Sequence, residues 1–179
     1  MNMIVAVNRH GIIGKNNNML WYIPEDMQYF RRHTMHSVVI MGRKTYESLP
    51  NRYLDSRINV VITSQPEKYN KVQRSSTIFC TLDDSDEILK KLEAATHKRF
   101  FVIGGAEIYR HFFHKCNHIY VTMVQNDERD GVSILLLLQN LPLTHREISR
   151  TPKTTDIDID YEFLVYARHT SSNDVQNNE

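Results

Sequence analysis

Apolar residues in this chain gather in short runs: Met3–Val7, Val38–Met41, Val60–Ile62, Phe100–Ile103 and Ile119–Val124. Runs of this length, rich in branched residues and bounded by turn or cap residues, suit strands buried on both faces. Between several of them, apolar positions recur at helical spacing: over residues 25–34, in a short stretch from Arg43, from about Asp84 to Ala95, and from Ala106 to Phe113. This alternation predicts an α/β fold, a single doubly wound, mostly parallel sheet with helices on both faces. After Val124 the order changes. Leu143–Arg150 and Tyr161–Arg168 are joined without a helical segment, which predicts an antiparallel C-terminal strand pair at one sheet edge. One domain over residues 1–168 is expected, followed by a polar tail, 169–179, expected to be disordered.

One acid breaks this pattern. Pro24 suits a first helical position, and Ile23, Met27 and Phe30 follow at helical spacing, so a helix should run from here to about Thr34. At about 100° per residue, Asp26 falls beside Ile23 and Phe30 while Glu25 points the other way into solvent. A carboxylate on a buried stripe loses hydration worth several kcal/mol unless a partner replaces it. Arg32 points away and Arg31 and His33 flank that face, so a ligand is a candidate partner. The plainer alternative is an acid favouring the positive end of the helix dipole.

Composition narrows the choice of ligand. The 179 residues suffice for one ordinary core, and 22 Lys plus Arg against 21 Asp plus Glu give a net charge of +1. That balance exerts no general pull on nucleic acid, so an anion site must be local. Cys80 and Cys116 lie far apart without a CxxC or His pairing, which argues against a metal centre or a disulfide framework. The run Met3–Val7 is too short for a secretory signal and Ile134–Leu138 is far below a membrane span, so a cytoplasmic protein is expected.

Ligands of open α/β sheets sit beyond the carboxyl ends of the strands. Met41-Gly-Arg-Lys-Thr-Tyr46 ends a strand in Gly42 and begins a helix with Arg43 and Lys44, a seat for phosphate or simply a turn with solvated cations. Phe101-Val-Ile-Gly-Gly-Ala-Glu-Ile-Tyr109 repeats the strand–glycine–helix order, and its paired glycines allow close backbone approach or merely a tight turn. Asn59-Val-Val-Ile-Thr-Ser-Gln65 ends in hydroxyls able to meet a phosphate or a ribose. His10–Trp21, a long loop with two glycines and three asparagines, is a candidate lid or a mobile connection.

Four strings, taken together and in this order, resemble dihydrofolate reductases: Ile-Ile-Gly-Lys-Asn, Trp21 followed by Pro-Glu-Asp and Phe30, Val-Ile-Met-Gly-Arg-Lys-Thr, and Val-Ile-Gly-Gly-Ala-Glu-Ile-Tyr. The resemblance implies NADPH-dependent reduction of 7,8-dihydrofolate to 5,6,7,8-tetrahydrofolate. It implies that Asp26 binds the pterin 2-amino group and N3, that Thr122 links this acid to the amino group, and that Trp21 orders a nearby water. Ile4, Val5, Ala6, Met27, Phe30, Leu49 and Leu54 would wall the substrate, with Ile103 and Tyr109 at its nicotinamide side. Arg57 would pair with the glutamate-tail carboxylate, a role suited to its planar fork. The cofactor would contact Ala6, Ile13, Gly14, Lys15, Asn16, Met19, Ile103 and Tyr109. Gly42, Arg43, Lys44 and Thr45, with Gly104, Gly105, Ala106, Glu107 and Ile108, would take the pyrophosphate side. Thr63, Ser64 and Gln65 would lie near the adenosine half, where Arg43, Lys44 and Ser64 meet the 2′-phosphate. The family also implies a cis Gly104–Gly105 peptide, antifolate binding at the same site, and a monomer without membrane or nucleic-acid partners.

Three departures from the family pattern stand out. Leu20 replaces the usual proline before the tryptophan, which predicts a more flexible lid. Tyr53-Leu-Asp-Ser-Arg57 replaces Pro-Leu-Pro-Gly-Arg, which leaves the shape of that loop open. Asp127-Glu-Arg-Asp-Gly-Val-Ser-Ile134 lacks the Gly-Asp-Thr-Phe-Phe-Pro-like segment that packs near the lid, so turnover is expected to suffer there. Two alternatives remain open at this point: a reductase of the same fold acting on another pterin or a ribosylaminopyrimidine, and a non-catalytic folate- or nucleotide-binding protein.

Overall fold

The computed structural model describes residues 1–72, 76–154 and 159–169. The expected polar tail therefore lies outside the described residues beyond His169. The elements run β1 (Asn2–Asn8), β2 (Ile12–Gly14), α1 (Pro24–Thr34), β3 (Val38–Gly42), α2 (Arg43–Ser48), β4 (Ile58–Ile62), β5 (Thr77–Cys80), α3 (Leu82–Ala95) and β6 (Phe100–Gly104). They continue through α4 (Ala106–Phe112), β7 (His118–Val124), β8 (Val132–Ser133), α5 (Leu135–Thr144), β9 (His145–Thr154) and β10 (Asp160–Arg168), with single 3-10 turns at Pro66–Tyr69 and Phe113–Lys115.

Eight strands form one sheet in the order β5-β4-β3-β6-β1-β7-β10-β9, parallel from β5 through β7 and antiparallel in the last two pairings. Alternate residues serve opposite faces. Val5, Val38, Ile40, Val60, Val102 and Val121 pack with Leu89 of α3 and Ile108 and Phe112 of α4. On the other face, Val39, Met41 and Val61 pack with Tyr46 of α2, and Trp21, Ile23, Val124, Tyr161 and Phe163 cluster near the start of α1.

Helix α1 begins with Pro24 at its first turn, where a missing N–H costs nothing. It docks through two stripes at i, i+4, i+8 spacing. Glu25, Tyr29 and His33 face β10 and β7, with Tyr29 stacked on Phe163 (centroids 4.0 Å apart, planes at 10°) and His33 4.5 Å from Tyr120. Asp26, Phe30 and Thr34 form the neighbouring stripe, in which Asp26 and Thr34 are buried.

Strand β1 pairs with β7 along its whole length but with β6 only at Asn2 and Met3. Beyond Met3 the two central strands part, and the Ile4 carbonyl, denied a strand partner on that side, accepts from the Tyr109 hydroxyl at 2.9 Å. Chain connections leave this point in opposite directions, toward β3 on one side and β7 on the other. Such a switch point is where open α/β sheets bind their ligands.

Several expectations are corrected. Leu143 belongs to α5, and the C-terminal strand pair starts at His145. Leu135–Leu143 is apolar on every side, so its period could not reveal a helix. The 10–21 loop is not structureless: Ile12 and Gly14 pair with Ser133 and Val132 of β8. The altered 127–134 segment thus still packs on this loop and on the residues just before it, through Lys15–Asp130 at 2.7 Å, an Arg9–Asp127 ion pair, and an Asn8 side-chain bond to the Glu128 carbonyl at 2.7 Å. The loop at 53–57 is held without prolines. Buried Asn59 accepts from Leu54 N at 2.8 Å and donates to the Leu54 and Arg57 carbonyls at 2.9 and 3.1 Å. Among the described residues no helix is long and apolar enough to cross a membrane.

Gly131 makes the lid seam testable. Its φ is +147°, and an added Cβ would sit 2.6 Å from the Gly14 carbonyl oxygen and 2.8 Å from Ile12 Cγ2. Gly131→Ala should therefore cost about 1–3 kcal/mol, read as a lower Tm. Amide exchange at residues 12–14 should accelerate, while β3 and β4 stay protected.

Candidate active site

The parting of β1 and β6 is overlooked by α1. Ile4 and Ala6 of β1, Thr122 of β7 and Ile103 of β6 share the face that α1 covers, by strand alternation and the Ala6–Thr122 pairing. Val5 is the exception among the proposed substrate walls: its side chain lies in the cluster under α3 and α4, so only its backbone borders this cleft.

Asp26 is 7% exposed, and its Oδ1 accepts from the Thr122 hydroxyl at 2.6 Å. No cation reaches it among the described residues. Burial pushes its carboxyl above the ordinary carboxylate value, and the Thr122 bond opposes this only in part. Nearby, Trp21 is buried with its Nε1 lacking an acceptor among the described residues. A free donor and an acid without a counter-charge among the described residues, both near the same cleft, suit a flat heterocycle that presents its own donors and acceptors. Met19 and Met27 are exposed, Phe30 half-buried, and Leu49 and Leu54 partly buried against the α2 cluster, which leaves an apolar flank leading away from Asp26.

Arg57 is not a solvated loop cation. It is 5% exposed, donating from Nη1 to Thr34 Oγ1 at 2.9 Å and from Nε and Nη2 to the Asp55 carbonyl and carboxylate at 2.9 and 3.2 Å. Three of its donors are used, and a guanidinium carries five. Thr34, two turns after Asp26 on α1, thereby ties that helix to the 53–57 loop.

Two strand-to-helix turns meet beside the parting. A Cβ on Gly42 would lie 3.1 Å from Ile108 Cγ1 and 3.9 Å from Gly105 N, and one on Gly105 would lie 3.6 Å from Thr45 Oγ1. The Gly104–Gly105 peptide is cis, and Gly104 takes φ +114° over the Tyr109 ring. Neither α2 nor α4 has a side-chain cap on its first turn, so backbone N–H groups stand free of side chains at both starts. Uncapped donors converging on side-chain-free backbone fit a pyrophosphate. Ala106, Ile108 and Tyr109 are buried, Glu107 is exposed, and Lys44 is exposed on the outer side of the turn. Arg43 is engaged by Glu47 at 2.6 Å, and Glu47 also accepts from the Tyr69 hydroxyl at 2.7 Å. Thr63 is buried and accepts from Gln65 N at 3.2 Å, which leaves Ser64 and Gln65 exposed at the end of β4. Ile13, Gly14 and Lys15 are half-buried and Asn16 and Met19 exposed, all in the lid.

Glu25 is a second correction. Its side chain stays partly open to solvent but is not free: Tyr161 OH donates to its Oε2 at 2.7 Å and Lys153 Nζ lies 2.9 Å from its Oε1. The Lys153 contact foremost, then the Tyr161 bond, holds its carboxyl below the ordinary range. The i, i+4, i+8 recurrence of Glu25, Tyr29 and His33 was the available signal.

Comparison with known proteins decides the family. A profile described as dihydrofolate reductase matches residues 1–168. The chain belongs to the dihydrofolate reductase family. It is 33% identical over 173 residues to the dihydrofolate reductase of Bacillus subtilis, with 96% of each chain covered. It is 35% identical over 160 residues to the type 9 dihydrofolate reductase of Escherichia coli, covering 87% of this chain and 86% of that one. A dihydrofolate reductase from Enterococcus faecalis, solved with NADP(H) and RAB-propyl, superposes with a TM-score of 0.77 at 24% identity, covering 94% of this chain and 96% of that chain, a likeness of fold. Among the described residues no cluster of His, Cys, Asp and Glu could hold a metal ion.

The Asp26 environment has a signed consequence. A carboxyl raised in the folded state favours folding only while protonated, so its contribution is present below the unfolded value and lost as pH rises through the folded one. Asp26→Asn should therefore raise Tm near neutral pH, with the gain over wild type shrinking steadily as pH falls toward 4. Parallel thermal melts across that range provide the check.

Proposed function

We propose that this chain reduces 7,8-dihydrofolate to 5,6,7,8-tetrahydrofolate with NADPH, and that the Asp26–Thr122 pair is the centre of the substrate site. The observation that carries this reading is the buried acid without a counter-charge beside the parted strands, in a chain of this family. When bound, NADPH supplies a hydride equivalent to C6 of the substrate, and N5 takes its proton from solvent. Everything else falls to this chain's own residues. Asp26 binds the 2-amino group and N3 through charge-assisted bonds, with Thr122 fixing its orientation. A carboxylate in a water-poor pocket favours the positive charge that develops as N5 is protonated. Trp21 offers its free Nε1 to a water, the apolar flank from Met27 to Leu54 accepts the benzoyl group, and the spare donors of Arg57 take the tail carboxylate. Gly42–Thr45 and Gly104–Gly105 hold the pyrophosphate, and Arg43, Lys44 and Ser64 the 2′-phosphate. The two free, buried cysteines agree with a cytoplasmic setting.

A steady-state assay of NADPH oxidation with and without dihydrofolate tests the activity, and a panel of other pterins and ribosylaminopyrimidines tests the substrate. Asp26→Asn should slow single-turnover reduction roughly 10²–10⁴-fold near neutral pH, with partial recovery in acid where protonated substrate is available. Normal turnover by this variant would remove Asp26 from the mechanism.

Cofactor choice gives a separate expectation. Charge-assisted bonds contribute about 1.5–3 kcal/mol each, so NADPH should be preferred over NADH at least tenfold in kcat/KM. Replacing Arg43 and Lys44 by Ala should weaken NADPH far more than NADH. Equal kcat/KM for the two cofactors in the wild-type protein would dismiss this phosphate seat.

A further inference from the structure

Helix α1 must carry Asp26 to within 2.6 Å of Thr122, and the apolar cluster of Trp21, Ile23, Tyr161 and Phe163 at its start is non-directional and does not by itself fix the roll of the first turn. The first turn has no side-chain cap, and the flank of the helix facing β9 borders a cavity of about 260 Å³ that Glu25, Arg32 and Thr151 help to line. Packing alone leaves that flank unsupported. What closes it is a polar clasp on Glu25. Tyr161, 1% exposed on β10, donates to one carboxylate oxygen, and Lys153, directly opposite Tyr161 on β9, binds the other.

The register makes the clasp and the acid one device. Tyr161 lies opposite Val124 and Phe163 opposite Thr122, so the residues that receive Glu25 and Asp26 stand two positions apart on adjacent strands. Adjacent residues of a helix point about 100° apart, so these two bonds grip the first turn from two directions and fix its roll about the helix axis. We propose that Tyr161 and Lys153 are positioning residues for Asp26, acting through Glu25 to hold the first turn of α1 at the angle that seats the carboxylate on Thr122. The role in turnover rests on the reading of Asp26 given above; the positioning itself does not. A displacement of about 1 Å at a reacting group is enough to cost up to 10²-fold in rate.

The test uses Tyr161→Phe in the wild-type and Asp26→Asn backgrounds, with two readouts. In single-turnover reduction of dihydrofolate, Tyr161→Phe should lose about tenfold in the wild-type background and less than twofold in the Asp26→Asn background, with KM for NADPH unchanged. In ligand-free protein, the ¹³C carboxyl titration of Asp26 should shift down toward the ordinary carboxylate value, because a loosened first turn admits water and burial is what raises it. Glu25→Gln, which keeps an acceptor for Tyr161, should retain more of the rate than Glu25→Ala. Equal losses in both backgrounds, or an unmoved Asp26 titration, would make Tyr161 a fold-supporting residue only and overturn the proposal. Should wild-type protein fail to reduce dihydrofolate, the reading of the activity falls, while the titration still decides the positioning. If Tyr161→Phe folds poorly, Lys153→Met, at the outer side of the clasp, undergoes the same two measurements with the same criteria.

Discussion

A carboxylate buried with no cation among the described residues to offset it dominates this molecule. Asp26 has one hydroxyl for company, and the low-dielectric surroundings penalise its charge. The surrounding features keep that charge in place. Helix α1 begins at a proline, docks through two stripes, is stacked on Phe163, and is tied at its far end to Arg57 through Thr34. The parted strands β1 and β6 give the charge an open cleft to act on. A protein that keeps an unfavourable group so firmly in place sacrifices stability for binding, as functional sites commonly do.

Much of this was legible in the sequence because the residues concerned obey simple periods. The five apolar runs are strands, and Pro24 through Thr34 is a helix with Asp26 on its covered side. What escaped did so for physical reasons. Thr77–Cys80, at the end of the sheet order among the described residues, offers only Ile78-Phe79-Cys80, with one branched residue against the three of Val60–Ile62, and so gives a weaker strand signal. Helix α5 is apolar all round, which hides its period. Glu25 was read as solvated because its partners, Tyr161 and Lys153, lie more than a hundred residues away, and no local rule reports such a contact. The burial of Arg57 is equally invisible locally, because it depends on Thr34 and Asp55 arriving from two directions.

Departures from the family pattern are accompanied by contacts of this chain's own. The 127–134 segment meets the lid through ion pairs and a two-residue strand, with Gly11 and Gly131 allowing backbones to touch where any Cβ would collide. Exposed ion pairs contribute little individually, so this seam relies on the glycine fit for its alignment and on charge for its tuning by salt.

The loop from Tyr53 to Arg57 carries a further consequence. Where prolines would stiffen it by narrowing the choices open to the unfolded chain, here Asn59 imposes the shape through three bonds made only after folding. The rigidity is enthalpic and conditional. It vanishes as a unit when the amide is lost, and it weakens with heating as those bonds break. The loop that carries Leu54 and Arg57 therefore takes much of its shape from one buried amide, with the Arg57 bonds to Thr34 and Asp55 as its second fastening.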